Sequence, residues 1–325
     1  MRHPDRMIPG RCRVPTLTRV DMTASEFRGL VRAVSNWGRW SDGGRRGALN
    51  YLTRARTAAA LRLACTGETV SLSRPLRTQA GIDMPEPADH YMTMLTDVDI
   101  GSGSVRFAKD YVGADYHNEG HSHIDAFSHV AFDGRFFDGM PECSVTVRGA
   151  DAGDIDVLGN GLVGRAVLLD VPRVRGVRWV EPGEHVFRED LEAAERAQGV
   201  RAGPGDILLV RTGHVRRLSE LGPWDTREAK AGLHPTAALF LAEREIAVVG
   251  SDTNGDTAPS TTEGVAFPIH VLAIYAMGIH LLDYLQFEDV VARCEAVGRW
   301  EFLFVAAPLR IIGGTGSPLN PIAIF

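Results

Sequence analysis

No run of about 18 uncharged apolar residues occurs in the chain, which excludes a helical membrane span. Cysteine is scarce. The four residues Cys12, Cys65, Cys143 and Cys294 form no Cys-x-x-Cys pair, which excludes a disulfide framework and a zinc ribbon and predicts reduced, mostly buried thiols. Basic excess is also lacking: 35 Lys and Arg stand against 41 Asp and Glu, a net charge of -6, so no nucleic-acid footprint is expected. The one basic concentration, Arg2, Arg6, Arg11 and Arg13, lies among Pro4, Pro9 and Pro15 and reads as a poorly ordered tail. The first thirty residues hold no apolar stretch of signal-peptide type, so the expected compartment is the cytoplasm. Neither a repeat period nor a low-complexity linker interrupts the 325 residues. The expected organisation is an N-terminal extension over 1–34 and one catalytic domain over 35–325.

Short runs rich in Val, Ile and Leu alternate with Gly, Pro and Asp. Thr69–Leu72, Gly164–Asp170, Asp206–Arg211, Ile246–Ser251 and Phe302–Ala306 have the length and turn boundaries of buried strands. Helical spacing appears over Ala24–Val34, 53–65 (with Thr53 as cap), Arg188–Gln198, Thr236–Arg244, Ile269–Met277 and Phe287–Val297. The pattern is mixed α/β. Two tryptophans, Trp37 and Trp40, sit in the turn-rich segment 35–44, either as a lid on the core or as a pocket wall.

The chemistry concentrates between His117 and His129, which holds four of the chain's 11 histidines. His117, Glu119, His121, His123 and Asp125 share one parity. An extended strand here would therefore present all five on one face. His129 follows Asp125 by four residues, so a turn after Asp125 would fold it back over the cluster. Neutral imidazole and carboxylate are the ligands of zinc, manganese or ferrous iron, and the lack of nearby cysteine points to a catalytic rather than a structural site. A metal so held polarises a carbonyl and lowers the pKa of bound water toward about 7. His129, if not a ligand, is placed to move protons. Amide, lactam or ester hydrolysis, enolisation, dehydration and ring closure all use such a pair.

At these residues the sequence resembles the cyclase family that includes bacterial kynurenine formamidases and isatin hydrolase. The family motif is His-x-Gly-Thr-His-x-Asp-Ala-x-x-His. His123-Ile124-Asp125-Ala126-Phe127-Ser128-His129 matches its second half, with Ser122 in the threonine place. Segments Asn36–Trp40, Gly47–Asn50, Gly164–Asp170, Gly205–Gly213, Gly250–Asp252, Ala307–Leu309 and Gly313–Pro318 extend the likeness over most of 35–325, in the manner of the longer members. The resemblance implies an α/β fold of the swivelling β/β/α type, a homodimer or homotetramer, and one or two divalent ions, with zinc or manganese favoured over iron. It implies His123 and Asp125 as metal ligands and His129 as the catalytic histidine. His270 and Asp283 are further candidates for a second ion or for the far wall of the site.

Two departures from the family matter. Strict spacing puts Glu119, not histidine, in the first ligand position. An insertion of two residues brings His117 there, which is the favoured assignment, and His121 is a third contender. Downstream, Asp283 stands where glutamate is usual, and its shorter side chain leaves a one-ion site as an alternative. Asp252 reads as a turn residue or as a carboxylate that orients a ligand histidine. His280 and His234 read as core and loop residues. Phe136, Phe137 and Met140 read as core ahead of an aromatic pocket. Gly313–Gly316 lacks the Lys-Ser/Thr of a phosphate loop. The favoured expectation is a metal-dependent hydrolase of an amide, cyclic amide or ester in a small aromatic molecule. The alternatives are a cyclase or dehydratase of secondary metabolism, and a binding protein without catalysis. No nucleic-acid or membrane partner is expected.

Overall fold

Four parallel strands form the centre of the molecule: Leu162–Asp170, Ile207–Arg211, Val248–Ser251 and His280–Asp283. The computed structural model describes residues 20–41, 44–99, 101 and 103–325. The arginines of the tail, Cys12 and the Asp42-Gly43 pair of the tryptophan loop lie outside the described residues. Antiparallel strands extend both edges of the parallel core. Glu301–Ala306, Ile322–Ile324 and Thr69–Ser71 follow on one side; His123–Asp125 and Gly316–Pro318 follow on the other, completing nine strands.

The parallel strands are continuous apolar runs because both of their faces are covered. Side chains alternate between two cores. Val167, Leu169, Leu208, Val210, Val249 and Leu281 enter one, while Ala166, Leu168, Ile207, Leu209, Val248 and Leu282 enter the other. Helices Arg188–Gln198 and Ala237–Glu243 cover the first face through Leu191 and Phe240, and Glu288–Val297 covers the second through Val290 and Cys294. The first described helix, Ala24–Val34, starts at a capping box between Thr23 and Glu26. It buries Phe27 and Val34 in the first core.

Several expectations are corrected. Cys294 is buried, but Cys65 and Cys143 are exposed. Helical spacing over Ile269–Met277 resolves into one α-turn, Pro268–His270, followed by a π-helical stretch, Val271–Met277, that buries almost every side chain. Trp37 Nε1 donates to Tyr275 O at 2.7 Å, and Trp40 packs edge-on against Tyr51 at 5.4 Å, so both tryptophans pack on the body of the protein. Among the described residues, no helix is long and apolar enough to cross a membrane.

Candidate metal centre

Sheet register brings the centre together. His123 pairs with Asp283, and Asp125 pairs with Gly316, at the edge where the antiparallel strand His123–Asp125 joins the parallel core. Only 123–125 is strand; 117–122 runs as a bent loop. The single extended face expected for His117, Glu119, His121, His123 and Asp125 does not form. Asn118 shapes the bends instead: its Oδ1 accepts from Gly120 N at 3.0 Å, and its Nδ2 donates to Asp115 O at 2.6 Å. The loop carries His117 back to the strand and turns Glu119 and His121 elsewhere. His121 is buried with neither ring nitrogen bonded.

Asp125 is fully buried, and its two oxygens face opposite ways. Oδ1 lies 3.0 Å from His117 Nδ1 and 3.4 Å from His123 Nε2. Oδ2 lies 3.5 Å from His270 Nε2 and 3.9 Å from His129 Nε2. Asp283 Oδ2 closes the ring, 3.5 Å from His270 Nε2 and 3.8 Å from His123 Nε2. All six residues singled out in the sequence therefore converge. His117, His123 and Asp125 form one group with ligand atoms within 4.8 Å of one another, and Asp125, His129 and His270 form a second.

Each candidate histidine ligand is anchored by its other ring nitrogen, as metal-binding imidazoles are. His123 Nδ1 donates to His121 O at 2.7 Å. His270 Nδ1 donates to Asp256 Oδ2 at 2.5 Å, while Asp256 also accepts from Ile269 N at 2.6 Å. His117 Nε2 meets Thr315 Oγ1 at 3.0 Å. The remaining nitrogens point inward. His129 is held differently: its ring stacks on that of His117, centroids 3.9 Å apart and planes nearly parallel, and its side chain is 28% exposed.

These residues fit a divalent cation. His117 Nδ1 and both oxygens of Asp125 are buried without a hydrogen bond of acceptable geometry, despite their closeness. Such atoms are costly unless something satisfies them. Ligands about 2.1 Å from one tetrahedral ion lie about 3.4 Å apart, close to the separations around Asp125. Burial pulls the His270 imidazole down, but the carboxylates of Asp125, Asp256 and Asp283 around it outweigh that and hold the ring well above its ordinary pKa. Burial pushes Asp125 up, yet His129, His117 and His270 together hold it well below the carboxylate range. Burial raises the Asp283 carboxyl, with His270 beside it pulling it partly back, so Asp125 is the carboxylate most firmly held in its charged form.

Sequence reasoning missed four participants. Asp256, not Asp252, orients His270. Asp252 instead accepts from the backbone N–H groups of Thr212, Gly213 and His214, anchoring the turn after Ile207–Arg211. Thr315 lies in the glycine-rich stretch that lacked a phosphate-loop signature. Lys230 and Tyr284 capture Glu119: Lys230 Nζ is 3.0 and 2.8 Å from its two oxygens, and the Tyr284 hydroxyl donates to one of them. No motif announces these residues, because each acts on a partner distant in the chain. Tyr284 also has a positive φ of 53°, a strained setting for a bulky residue. Thr253 O holds it by accepting its N–H at 2.9 Å.

A cavity of about 490 Å³ opens over the centre, lined by His117, His123, His129, His270 and Asp283. Glu119 and Tyr284 form one polar wall; Phe132, Val265, Phe267 and Val271 form an apolar one. Phe136 and Phe137 are buried in the body, and neither they nor Met140 line the cavity. His280 is fully buried, stacks on Phe127 and donates from Nδ1 to Asp125 O at 2.7 Å.

The cyclase family model matches residues 70–255, more than half of the chain. The chain belongs to the cyclase family. The crystal structure of a novel cyclase is 31% identical to it, with 91% of this chain and 99% of that chain covered at a TM-score of 0.82. Isatin hydrolase A from Ralstonia solanacearum is 23% identical over 83% of this chain and 97% of its own, at a TM-score of 0.57. Isatin hydrolase A from Labrenzia aggregata is 20% identical over 79% and 94%, at 0.56. At those identities the likeness is one of fold. No curated protein matches the chain. Membership in the cyclase family agrees with the resemblance carried by His123–His129 and with the mixed α/β fold.

Proposed function

We propose that this cyclase-family chain is a divalent-metal-dependent hydrolase of an amide, cyclic amide or ester bond in a small aromatic molecule. The observation that carries this reading is the setting of Asp125, which presents one oxygen to His117 and His123 and the other to His270 and His129; these four imidazoles line a cavity with a wall of Phe132 and Phe267. His117, His123 and Asp125 would hold one divalent ion, and His270 and Asp283, with Asp125 shared, could hold a second. Such an ion, when bound, supplies Lewis acidity toward a carbonyl oxygen and toward water.

The chain's own residues supply the rest. Burial drives the His129 imidazole down to about 4, with Asp125 pulling it partly back up, so the ring is neutral at neutral pH and its Nε2 can accept a proton. The same ring then returns that proton to the departing nitrogen or oxygen. Phe132, Val265 and Phe267 seat an apolar body and exclude water from it, and Glu119 offers a hydrogen-bond acceptor to a substrate N–H or O–H. The cavity volume suits a small molecule. We further propose a homodimer or homotetramer.

Isatin, aryl amides and aryl esters are the probe substrates, turned over in oxygen-18-labelled water. The hydrolase reading predicts a new carboxylate that carries the label. A second reading, ring closure or dehydration, is kept alive by the 31% identical relative, itself a cyclase. It predicts a product of unchanged mass or lighter by one water, with no label, and that outcome would displace the first reading.

A further inference from the structure

Phe132, Val265 and Phe267 in the apolar wall of the cavity come from two separate turns. Phe132 pairs with Arg135 across Asp133 and Gly134, and Val265 N closes on Thr262 O at 3.2 Å. Short turns hold a fixed position only where something fastens them.

The helix Ala24–Val34, with the residues before it, reaches both turns. Met22 is buried in the core and pairs with Thr262. Asp21 N donates to Thr261 O at 3.1 Å, and Glu263 N donates to Met22 O at 2.9 Å. The Glu263 side chain returns the contact by accepting from Ala24 N at 3.0 Å. Ala24 is the first residue of the helix, so this carboxylate meets an N–H without an intrahelical partner, at the positive end of the helix dipole. One turn further on, Phe27 packs edge-on against Phe132 at 6.0 Å, and the Arg28 guanidinium lies 5.3 Å over the same ring. Arg28 Nη2 also donates to Asp133 Oδ1 at 3.0 Å.

We propose that the segment from Met22 to Arg28 is a specificity-determining element of the site, with Glu263 as its positioning residue. It sets how far Phe132 stands from Val265 and Phe267, and so how well the cavity takes an aromatic ring. The proposal rests on the reading of that cavity as the substrate site. Phe267 shows why fastening matters. It is 51% exposed, and its ring meets that of His270 edge-on at 5.7 Å. A half-exposed ring has little packing of its own, so the backbone of its turn must place it. Ser260 Oγ, donating to Val265 O at 2.6 Å, closes that turn on itself, and the pairing with Met22 and Ala24 fastens it to the body of the protein. His270 is held separately, by Asp256. A shift of the wall therefore leaves the metal centre standing.

Binding of benzamide and acetamide to the full chain, followed by ligand-observed nuclear magnetic resonance, tests the proposal. No turnover is needed, so a chain that binds both but hydrolyses nothing contradicts the hydrolase reading and not this one. Burial of the extra ring predicts a wild-type preference for benzamide on the order of thirtyfold. Met22→Ala with Glu263→Ala removes the buried anchor and the acceptor. The preference should then fall about fivefold, as a displaced wall forfeits much of its contact, while acetamide binds as before. Met22→Leu with Glu263→Gln keeps an apolar anchor and an oxygen for Ala24 N, and should keep the preference. Arg28→Gln frees Phe132 from the other side at a half-exposed residue, and should lower the preference about two- to threefold. Circular dichroism and the melting temperature show which variants fold; if the alanine pair does not, Arg28→Gln decides alone. A wild type without a preference for benzamide, folded alanine and Arg28 variants that retain it, or a parallel loss of both ligands overturns the proposal.

Discussion

Asp125 has no exposed surface and no hydrogen bond to either oxygen, yet it lies at the meeting point of four imidazoles. A buried carboxylate left in that condition is explained by a cation, and the residues around it divide by function. Replacing His129 by Ala should lower kcat about 10²- to 10⁴-fold while leaving bound metal unchanged, because that ring moves a proton. Thr315→Val or Asp256→Asn should leave the fold intact but weaken metal affinity about 10- to 100-fold, since each frees a ligand ring to turn; titration with a metal indicator reads this. Glu119→Ala should do the reverse. It strands Lys230, which is 2% exposed, and should destabilise the fold by about 3 kcal/mol in urea unfolding with metal content unaltered. Loss of metal in Glu119→Ala would instead return Glu119 to the ligand set. Residue types were legible here before geometry was. His117, His123, Asp125, His129, His270 and Asp283 were all singled out, but the strand parity that grouped the first three was mistaken. Parity cannot see that Asn118 bends the loop, nor that Lys230, 111 residues on, claims Glu119.

At the scale of elements, the strand His123–Asp125 is held between two neighbours, and each makes a prediction. On one side Gly316 lets His117 lie close. A Cβ there would stand 2.4 Å from Ile124 O and 2.9 Å from His117 Cε1. Gly316→Ala should therefore cost about 1–3 kcal/mol of stability and displace His117. On the other side lies His280, whose imidazole burial drives down to about 4. Its folded pKa is below its unfolded value, so between the two the unfolded chain binds more protons. The stability it contributes is fully present above pH 6.5 and lost as pH falls through 4, by on the order of 3 kcal/mol at most. Unfolding midpoints across that range should fall less steeply in His280→Asn. The long buried elements were legible because burial on both faces leaves an unbroken apolar run; Gly164–Asp170 lies wholly within the observed Leu162–Asp170. Of the three-residue strands, Thr69–Ser71 was legible within Thr69–Leu72 and His123–Asp125 only as part of a longer extended stretch that does not form, while Gly316–Pro318 is too short for any period and exists only through its pairing.

For the whole molecule, the order of strands decides where the chemistry sits. The parallel centre sends Val248–Ser251 and His280–Asp283 in one direction, so their following residues, Asp256 and Tyr284 among them, gather at one edge beside His123. Ligands bind at such carboxyl ends in open α/β sheets. That arrangement was not legible, since pairings between residues 123 and 283 or 125 and 316 leave no local trace. The family motif carried the fold instead.

The most direct test of the account is the metal bound per chain after purification without added metal or a histidine tag, measured by mass spectrometry on wild type, His129→Ala and Asp125→Asn. The account predicts about one or two ions in the wild type and in His129→Ala, and a loss in Asp125→Asn that added metal does not restore. Equal metal in Asp125→Asn, or none in a wild type that also fails to bind added zinc, manganese or iron, would contradict it.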